Sequence, residues 1–146
     1  MYTLFDVTSD VNLWFNKDPV RPELTPEFRQ AQGRYVFALM DEKSSAKAFC
    51  CFALCDKVPR NIKELDIFTI PKDSPASVAV PYSIWRYEKG AGHKILNSLI
   101  PIFKNRFEVS GIVTLSPVTN MAKKFHLRNG ATIDFSSDNF VNYRYL

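Results

Sequence analysis

Hydrophobic and polar residues follow two different periods along the chain, which predicts a domain of strands and helices. Residues 34–40 (RYVFALM) and 46–55 (AKAFCCFALC) are apolar, aromatic-rich runs on either side of the turn-prone stretch DEKSS, a pattern typical of an antiparallel hairpin. After Gly90 the period changes to that of an amphipathic helix. Its apolar face consists of Ile95, Leu96, Leu99, Ile100 and Phe103. Pro101 lies within this helix and should kink it or end one face of it.

With the remaining segments included, the predicted order along the chain is β α α β β, a helical turn, then β α β α β β. Further strands are predicted over 2–7, 78–87, 110–117, 131–135 and 140–146, and short helices over 9–15, 25–33 and 119–127. Residues 56–77 are predicted to form a helical turn followed by a loop. Pro81 removes a ladder donor from the strand 78–87 and predicts a bulge or splay there. We therefore expect one α/β (α+β) domain over 1–146, with a mixed, mostly antiparallel sheet and flanking helices.

The composition is that of a globular protein, with 46% hydrophobic and 23% charged residues. The longest apolar run, 48–55, is far too short to cross a membrane, and residues 1–10 lack the basic start of a secretion signal. We therefore expect no membrane partner. Cys50, Cys51 and Cys55 are expected to be buried free thiols in a reducing, cytoplasmic compartment, and no ligand spacing for a metal accompanies them.

The net charge of +4 and the pI of about 9.0 favour an anionic partner. The basic residues are spread along the chain and are not interleaved with aromatic residues as in RNA-binding modules, which argues against nucleic acid. A phosphorylated cofactor and an acidic substrate both fit this charge. The sequence does not decide the oligomeric state, so a homodimer stays open.

A glycine turn joins the strand 78–87 to the amphipathic helix. Lys89, Gly90, Ala91, Gly92 and His93 form the segment in which the chain turns tightly and exposes the first N–H groups of the helix. Those donors, at the positive end of the helix dipole, suit a phosphate group. A tight turn with no ligand is the alternative. The spacing lacks the third glycine of a dinucleotide-binding Rossmann motif, and there is no Walker A loop.

His126 is a candidate acid or base, since it lies between Phe125 and Leu127 at the last apolar turn of a predicted helix. Histidine is the side chain whose unperturbed pKa lets it give and take protons near neutral pH. The alternative is a core histidine whose N–H donates to a carbonyl oxygen.

The order of a kinked strand, a G-x-G turn, an amphipathic helix and a further strand and helix resembles the GNAT acyltransferase superfamily. That family's Q/R-x-x-G-x-G/A motif falls on Tyr87, Gly90 and Gly92, with Tyr87 in place of the usual glutamine or arginine. The resemblance implies splayed central strands, with the pyrophosphate of coenzyme A in the turn 89–93. It also implies that the pantetheine arm lies along the preceding strand, at Ser83 and Ile84.

Five strings also resemble the catalytic domain of malonyl-CoA decarboxylase, which is itself GNAT-like. They are DKVPRNI (56–62), PYSI (81–84), TLSP (114–117), FHLRNGA (125–131) and NYRY (142–145), in the order found in that family. The resemblance implies that Ser116 and His126 form a Ser–His pair at the reacting thioester. The sequence departs from that family in two ways. Nothing in it is long enough to form the family's N-terminal helical bundle, and the interval between TLSP and FHLRNGA is shorter.

The resemblance implies an acyl-CoA-dependent enzyme that converts malonyl-CoA, or a similar acyl-CoA, to acetyl-CoA and CO2. An N-acyltransferase that moves an acyl group from CoA to an amine is the alternative. A non-catalytic module that binds acyl-CoA or a protein partner is a third reading. Coenzyme A enters each of the enzyme readings as part of the substrate, and no metal is implied.

Overall fold

The computed structural model describes residues 1–71 and 73–146, so Lys72, in the predicted loop, lies outside it. The order of strands and helices is the predicted one. The strands are β1 (Thr3–Asp6), β2 (Arg34–Met40), β3 (Ala46–Cys55), β4 (Val78–Arg86), β5 (Gly111–Ile112), β6 (Thr132–Ser136) and β7 (Val141–Arg144). The helices are α1 (Val11–Trp14), α2 (Pro26–Gln30), α3 (Ile62–Phe68), α4 (Ala91–Asn105) and α5 (Asn120–Arg128).

Five strands form one sheet in the order β1-β2-β3-β4-β5, and β6 pairs with β7. The pairs β1–β2, β2–β3 and β3–β4 are antiparallel and β4–β5 is parallel, which confirms a mixed, mostly antiparallel sheet. The bulge predicted at Pro81 is present, because Cys51 pairs with Ser83 while Phe52 pairs with Pro81. β4 therefore carries one extra residue, Tyr82, at this point.

The strand predicted over 110–117 has regular pairing only over Gly111–Ile112. The following residues run between β4 and β7 through alternate hydrogen bonds. The N–H groups of Val113 and Leu115 donate to the carbonyls of Ala79 and Pro81 on β4. The N–H of Ser116 donates to Val141 on β7, over 2.9 Å. Pro117 has no N–H, so the bonding to β4 cannot continue past Leu115.

Helices cover both faces of the sheet. α4 packs on one face through Ala91, Ile95, Leu99 and Phe103, all of them buried. α1, α2 and α3 cover the other face, with Trp14 and Leu65 in its core. α4 continues through Pro101 to Asn105, so the proline does not end the helix.

The three cysteines are free and buried, as predicted. In the described part of the chain, the helices are too short or too polar to serve as a membrane span. Among the same residues, no three His, Cys, Asp or Glu side chains lie close enough together to hold a metal ion.

Candidate functional site

The turn before α4 has the geometry of an anion site. Gly90 is the N-cap of α4 and has a φ of 83°, a left-handed conformation that glycine adopts without strain. The Ala91 N–H donates to the Glu88 carbonyl over 3.1 Å. Within the described residues, the N–H groups of Gly92 and His93 have no backbone acceptor. These donors lie at the positive end of a 15-residue helix, and the exposed Lys89 adds a charge beside them.

The C-terminal end of α5 contacts the N-terminus of α4. A Cβ on Gly92 would lie 3.0 Å from Cε1 of Phe125, so the absence of a side chain lets the two helices approach closely. The His93 ring also bonds to the side chain of Asn129, one residue past α5. His126 follows Phe125 directly, so the helix end that meets the glycine turn also carries the candidate acid or base.

The structure brings the two predicted catalytic residues together. His126 Nε2 lies 3.3 Å from Ser116 Oγ, and these side chains are 94% and 96% buried. Thr119 begins α5 by accepting a hydrogen bond from the Ala122 N–H, three residues after Ser116. This cap turns the chain sharply back, and α5 then presents His126 to Ser116.

Each ring nitrogen of the His126 imidazole lies within hydrogen-bond distance of a hydroxyl group, and these partners allow a tautomer to be assigned. Ser116 Oγ lies 2.8 Å from Thr114 Oγ1, and we assign the serine proton to this bond because the threonine oxygen also accepts the Tyr143 N–H. With that assignment, Nε2 carries the ring proton and donates it to Ser116, and Nδ1 is left as an acceptor. Nδ1 accepts from the Tyr145 hydroxyl over 2.6 Å. Burial lowers the pKa of His126 to about 4, so the ring is neutral at physiological pH.

Two aromatic rings complete the environment of His126. The Tyr143 ring stacks on the imidazole with centroids 4.7 Å apart. Burial raises the pKa of the Tyr145 hydroxyl, which keeps it protonated and able to donate. Tyr143 also lines a groove of about 390 Å³ between the start of α5 and the β6–β7 hairpin, together with Lys123 and Val141.

Ser83 and Ile84, predicted to lie along the pantetheine arm, differ in their surroundings. The Ser83 side chain is buried and donates to Asp18 Oδ2 over 2.6 Å, on the face covered by α1–α3. Ile84 is half-buried and packs with the core beneath α4. Tyr87, at the departure from the acyltransferase motif, is exposed, and its hydroxyl accepts from Nε1 of Trp85.

Sequence reasoning did not assign roles to three residues near the site. Thr114 and Tyr145 lie inside the strings TLSP and NYRY, so their positions were in view without any sign of their contacts. Arg21 is in a proline-rich loop, yet it donates to the carbonyls of Tyr82 and Leu115. Only the folded chain brings that loop to the sheet.

Comparisons with known proteins agree with this architecture. No family model matches the chain, and no curated protein sequence matches it. Among solved structures it is similar to malonyl-CoA decarboxylase from Rhodopseudomonas palustris, with a TM-score of 0.74 and 17% identity over 99% of this chain and 59% of that one. The chain therefore spans less than two thirds of that decarboxylase.

Two further similar structures match over nearly their full length. The loading GNATL domain of CurA from Lyngbya majuscula has a TM-score of 0.73 and 12% identity, over 99% of this chain and 97% of that one. The N-acetyltransferase PseH of Campylobacter jejuni, in complex with acetyl coenzyme A, has a TM-score of 0.60 and 14% identity, over the same shares. The protein thus has a GNAT-like fold that resembles the fold of malonyl-CoA decarboxylase.

Proposed function

We propose that the protein is an acyl-CoA-dependent enzyme that converts malonyl-CoA, or a similar acyl-CoA, to acetyl-CoA and CO2. The observation that carries this proposal is the buried Ser116–His126 pair, 3.3 Å apart, beside the bare N-terminus of α4. The likeness to malonyl-CoA decarboxylase supports the choice of substrate, and the complex of PseH with acetyl coenzyme A supports the choice of cofactor.

The phosphates of coenzyme A bind at the turn of Lys89, Gly90, Ala91, Gly92 and His93 in this proposal. Gly92 and His93 offer N–H groups, and Lys89 offers a charge, so the turn supplies directional and electrostatic binding. The pantetheine arm then runs along β4, past Ile84 and the backbone of Ser83. This path leads from the N-terminus of α4 toward Leu115, which bonds to β4 and precedes Ser116.

Decarboxylation needs two things from the protein. The C–C bond to the carboxylate breaks, CO2 leaves, and the electron pair stays on the thioester as an enolate. Ser116 stabilises this enolate by turning its hydroxyl toward the enolate oxygen, in a site where burial makes each hydrogen bond stronger. A proton must then reach carbon.

His126 and Tyr145 supply that proton together. The neutral ring gives up its Nε2 proton to the carbon, while Nδ1 takes the proton of the Tyr145 hydroxyl over the 2.6 Å bond. The ring therefore never carries a full negative charge, and the negative charge ends on the phenol oxygen. A proton from water then reaches Nε2, and Nδ1 returns its proton to the phenolate, which restores the starting tautomer and completes the cycle. Acetyl-CoA and CO2 are the products.

Incubating the purified protein with malonyl-CoA alone tests this proposal by mass spectrometry. We expect acetyl-CoA to form without any acceptor. His126→Gln should abolish turnover because glutamine cannot donate the proton that carbon needs. The variant should still bind CoA, which calorimetry measures. Ser116→Ala should lower kcat about 100-fold or more, as removal of an enolate donor does. Unchanged turnover in His126→Gln would return the histidine to a structural role.

N-acyltransfer to an amine is a second candidate, because PseH matches this chain over 97% of its own length, while the decarboxylase extends well beyond it. Acetyl-CoA supplied with amines distinguishes the two reactions, since a transferase releases free CoA only when an acceptor is present. CoA binding with no turnover under either condition would identify a non-catalytic acyl-CoA module.

A further inference from the structure

Arg21 lies where the direct pairing between β4 and the segment that follows β5 stops. Its Nε donates to the Tyr82 carbonyl on β4 over 3.2 Å, and its Nη2 donates to the Leu115 carbonyl over 2.9 Å. Just before this point, the Leu115 N–H still donates to Pro81 over 3.0 Å. Just after it, Pro117 has no N–H. The guanidinium therefore takes the place of the next ladder bond, next to Ser116.

These bonds leave one edge of the guanidinium unused. Arginine has five N–H groups, and the two strand carbonyls engage two of them. Within the described residues, nothing accepts from Nη1. The edge formed by Nη1 and Nη2 is the planar fork that binds a carboxylate through two parallel hydrogen bonds. Desolvation lowers the pKa of Arg21, so its charge is poorly hydrated and gains from an anionic partner.

A buried ion pair fixes the backbone at Arg21. Asp18 Oδ1 accepts the N–H groups of Val20 and Arg21, while Oδ2 accepts from Arg29 over 2.7 Å and from Ser83 over 2.6 Å. Arg29 also donates to the Arg21 carbonyl over 2.7 Å. A buried ion pair is a weak source of stability but a firm positional constraint. Through Ser83 it ties the loop that carries Arg21 to β4.

We propose that Arg21 binds the terminal carboxylate of the acyl group and thereby selects acyl-CoA substrates with a negative charge at the far end of the chain. This inference rests on the proposed function. Ser116 directly follows Leu115, whose carbonyl Arg21 binds, so a thioester at Ser116 would place its acyl group within reach of the guanidinium. A carboxylate held there also fixes the direction of the C–C bond that breaks.

Affinity ratios test the inference. Calorimetry with malonyl-CoA, propionyl-CoA and free CoA is performed in the His126→Gln background, where mass spectrometry checks that malonyl-CoA stays intact. We expect malonyl-CoA to bind about ten- to a hundredfold more tightly than propionyl-CoA, as a charge-assisted pair provides. Arg21→Gln should remove most of that preference while the affinity for free CoA is unchanged.

Two further variants sharpen the comparison. Arg21→Lys keeps the charge without the fork and should retain part of the preference. Arg106→Gln removes an equal charge from an exposed site at the far end of α4 and should leave the preference intact. A purely structural Arg21 would lower the thermal midpoint of Arg21→Gln without altering the ratio.

Equal affinities for the two thioesters with Arg21 in place would overturn the inference, whether or not Arg21→Gln folds. A preference that survives in Arg21→Gln would also overturn it. Either result leaves the proposed function standing, provided that free CoA binds. If neither thioester nor free CoA binds, the proposed function fails and this inference fails with it.

Discussion

Burial of the His126 imidazole ties its protonation to the stability of the fold. Its pKa falls from 6.5 to about 4, so the unfolded chain takes up this proton more readily than the folded one. The contribution of the neutral imidazole to the free energy of unfolding is fully present above pH 6.5 and is lost as the pH falls toward 4. We expect the titration of His126 to lower the free energy of unfolding by about 2–3 kcal/mol between pH 7.5 and pH 4.5. Urea unfolding at several pH values measures this loss.

His126→Gln is the control for that measurement, because carboxylates titrate over the same range and contribute to the wild-type profile. Glutamine keeps a polar side chain of similar reach but does not titrate. As the pH falls, the free energy of unfolding of His126→Gln should therefore decrease by about 2–3 kcal/mol less than that of the wild type. Parallel profiles for the two proteins would show that the imidazole is not held neutral by burial.

In the proposed reaction, the Tyr145 hydroxyl acts through His126. Tyr145→Phe removes the donor to Nδ1 and leaves that nitrogen without its partner, at a cost of about 1–2 kcal/mol in stability. Turnover of malonyl-CoA should fall through kcat with little change in KM, because the proton relay is lost while CoA still binds. Without this donor the imidazole should also populate both tautomers, which its nitrogen chemical shifts measure directly.

Tyr35→Phe is the matched control for Tyr145→Phe. Tyr35 is a partly buried aromatic residue that packs beneath α4, and its hydroxyl makes no hydrogen bond among the described residues. This variant should keep both kcat and the nitrogen shifts of the wild type. A Tyr145→Phe enzyme with an unchanged kcat would remove the tyrosine from the relay.

Among the elements, the N-terminus of α4 offers a comparison between two glycines of the same geometry. Gly90 and Gly130 have φ values of 83° and 94°, and a Cβ at either position would meet nothing within 4 Å. An alanine should therefore cost about 1–2 kcal/mol of stability at each, through backbone strain alone. Only Gly90→Ala should weaken CoA binding in calorimetry, because it disturbs the first N–H groups of α4. Equal losses of affinity would show that the turn is not the phosphate site.

The elements also show what could be predicted from the sequence. The hairpin 34–40 and 46–55 was predicted with its observed bounds, because long apolar runs with a polar turn leave few alternatives. The strand predicted over 110–117 is regular only at Gly111–Ile112, since its remaining bonds alternate between β4 and β7 and no local pattern encodes that.

For the site, the residues themselves were predictable and their partners were not. Ser116 and His126 stood out through the strings that contain them, and the structure brings them together. The hydrogen bonds between Thr114 and Ser116 and between Tyr145 and His126 depend on the positions of three separate elements. Arg21, a loop residue with no periodic context, could be recognised only from its place in the fold.

The molecule as a whole closes the two faces of its sheet by different means. The face under α4 is sealed by hydrophobic contacts. The other face, covered by α1, α2 and α3, holds Asp18 and Arg29, whose side chains are 3% and 4% exposed. Asp18→Asn would leave the Arg29 charge buried without its partner, and we expect it to lower the free energy of unfolding by about 3–5 kcal/mol.

Asp134→Asn tests whether that loss comes from burial or from the removal of any paired carboxylate. Asp134 binds Arg144 over 2.9 Å, but these side chains are 31% and 38% exposed, so water replaces the lost partner. The control should cost less than about 1 kcal/mol in the same urea titration. If the two variants lose equal stability, water reaches Arg29 in the folded protein. The loop carrying Arg21 would then lack the rigid anchor that its contact with both strands requires.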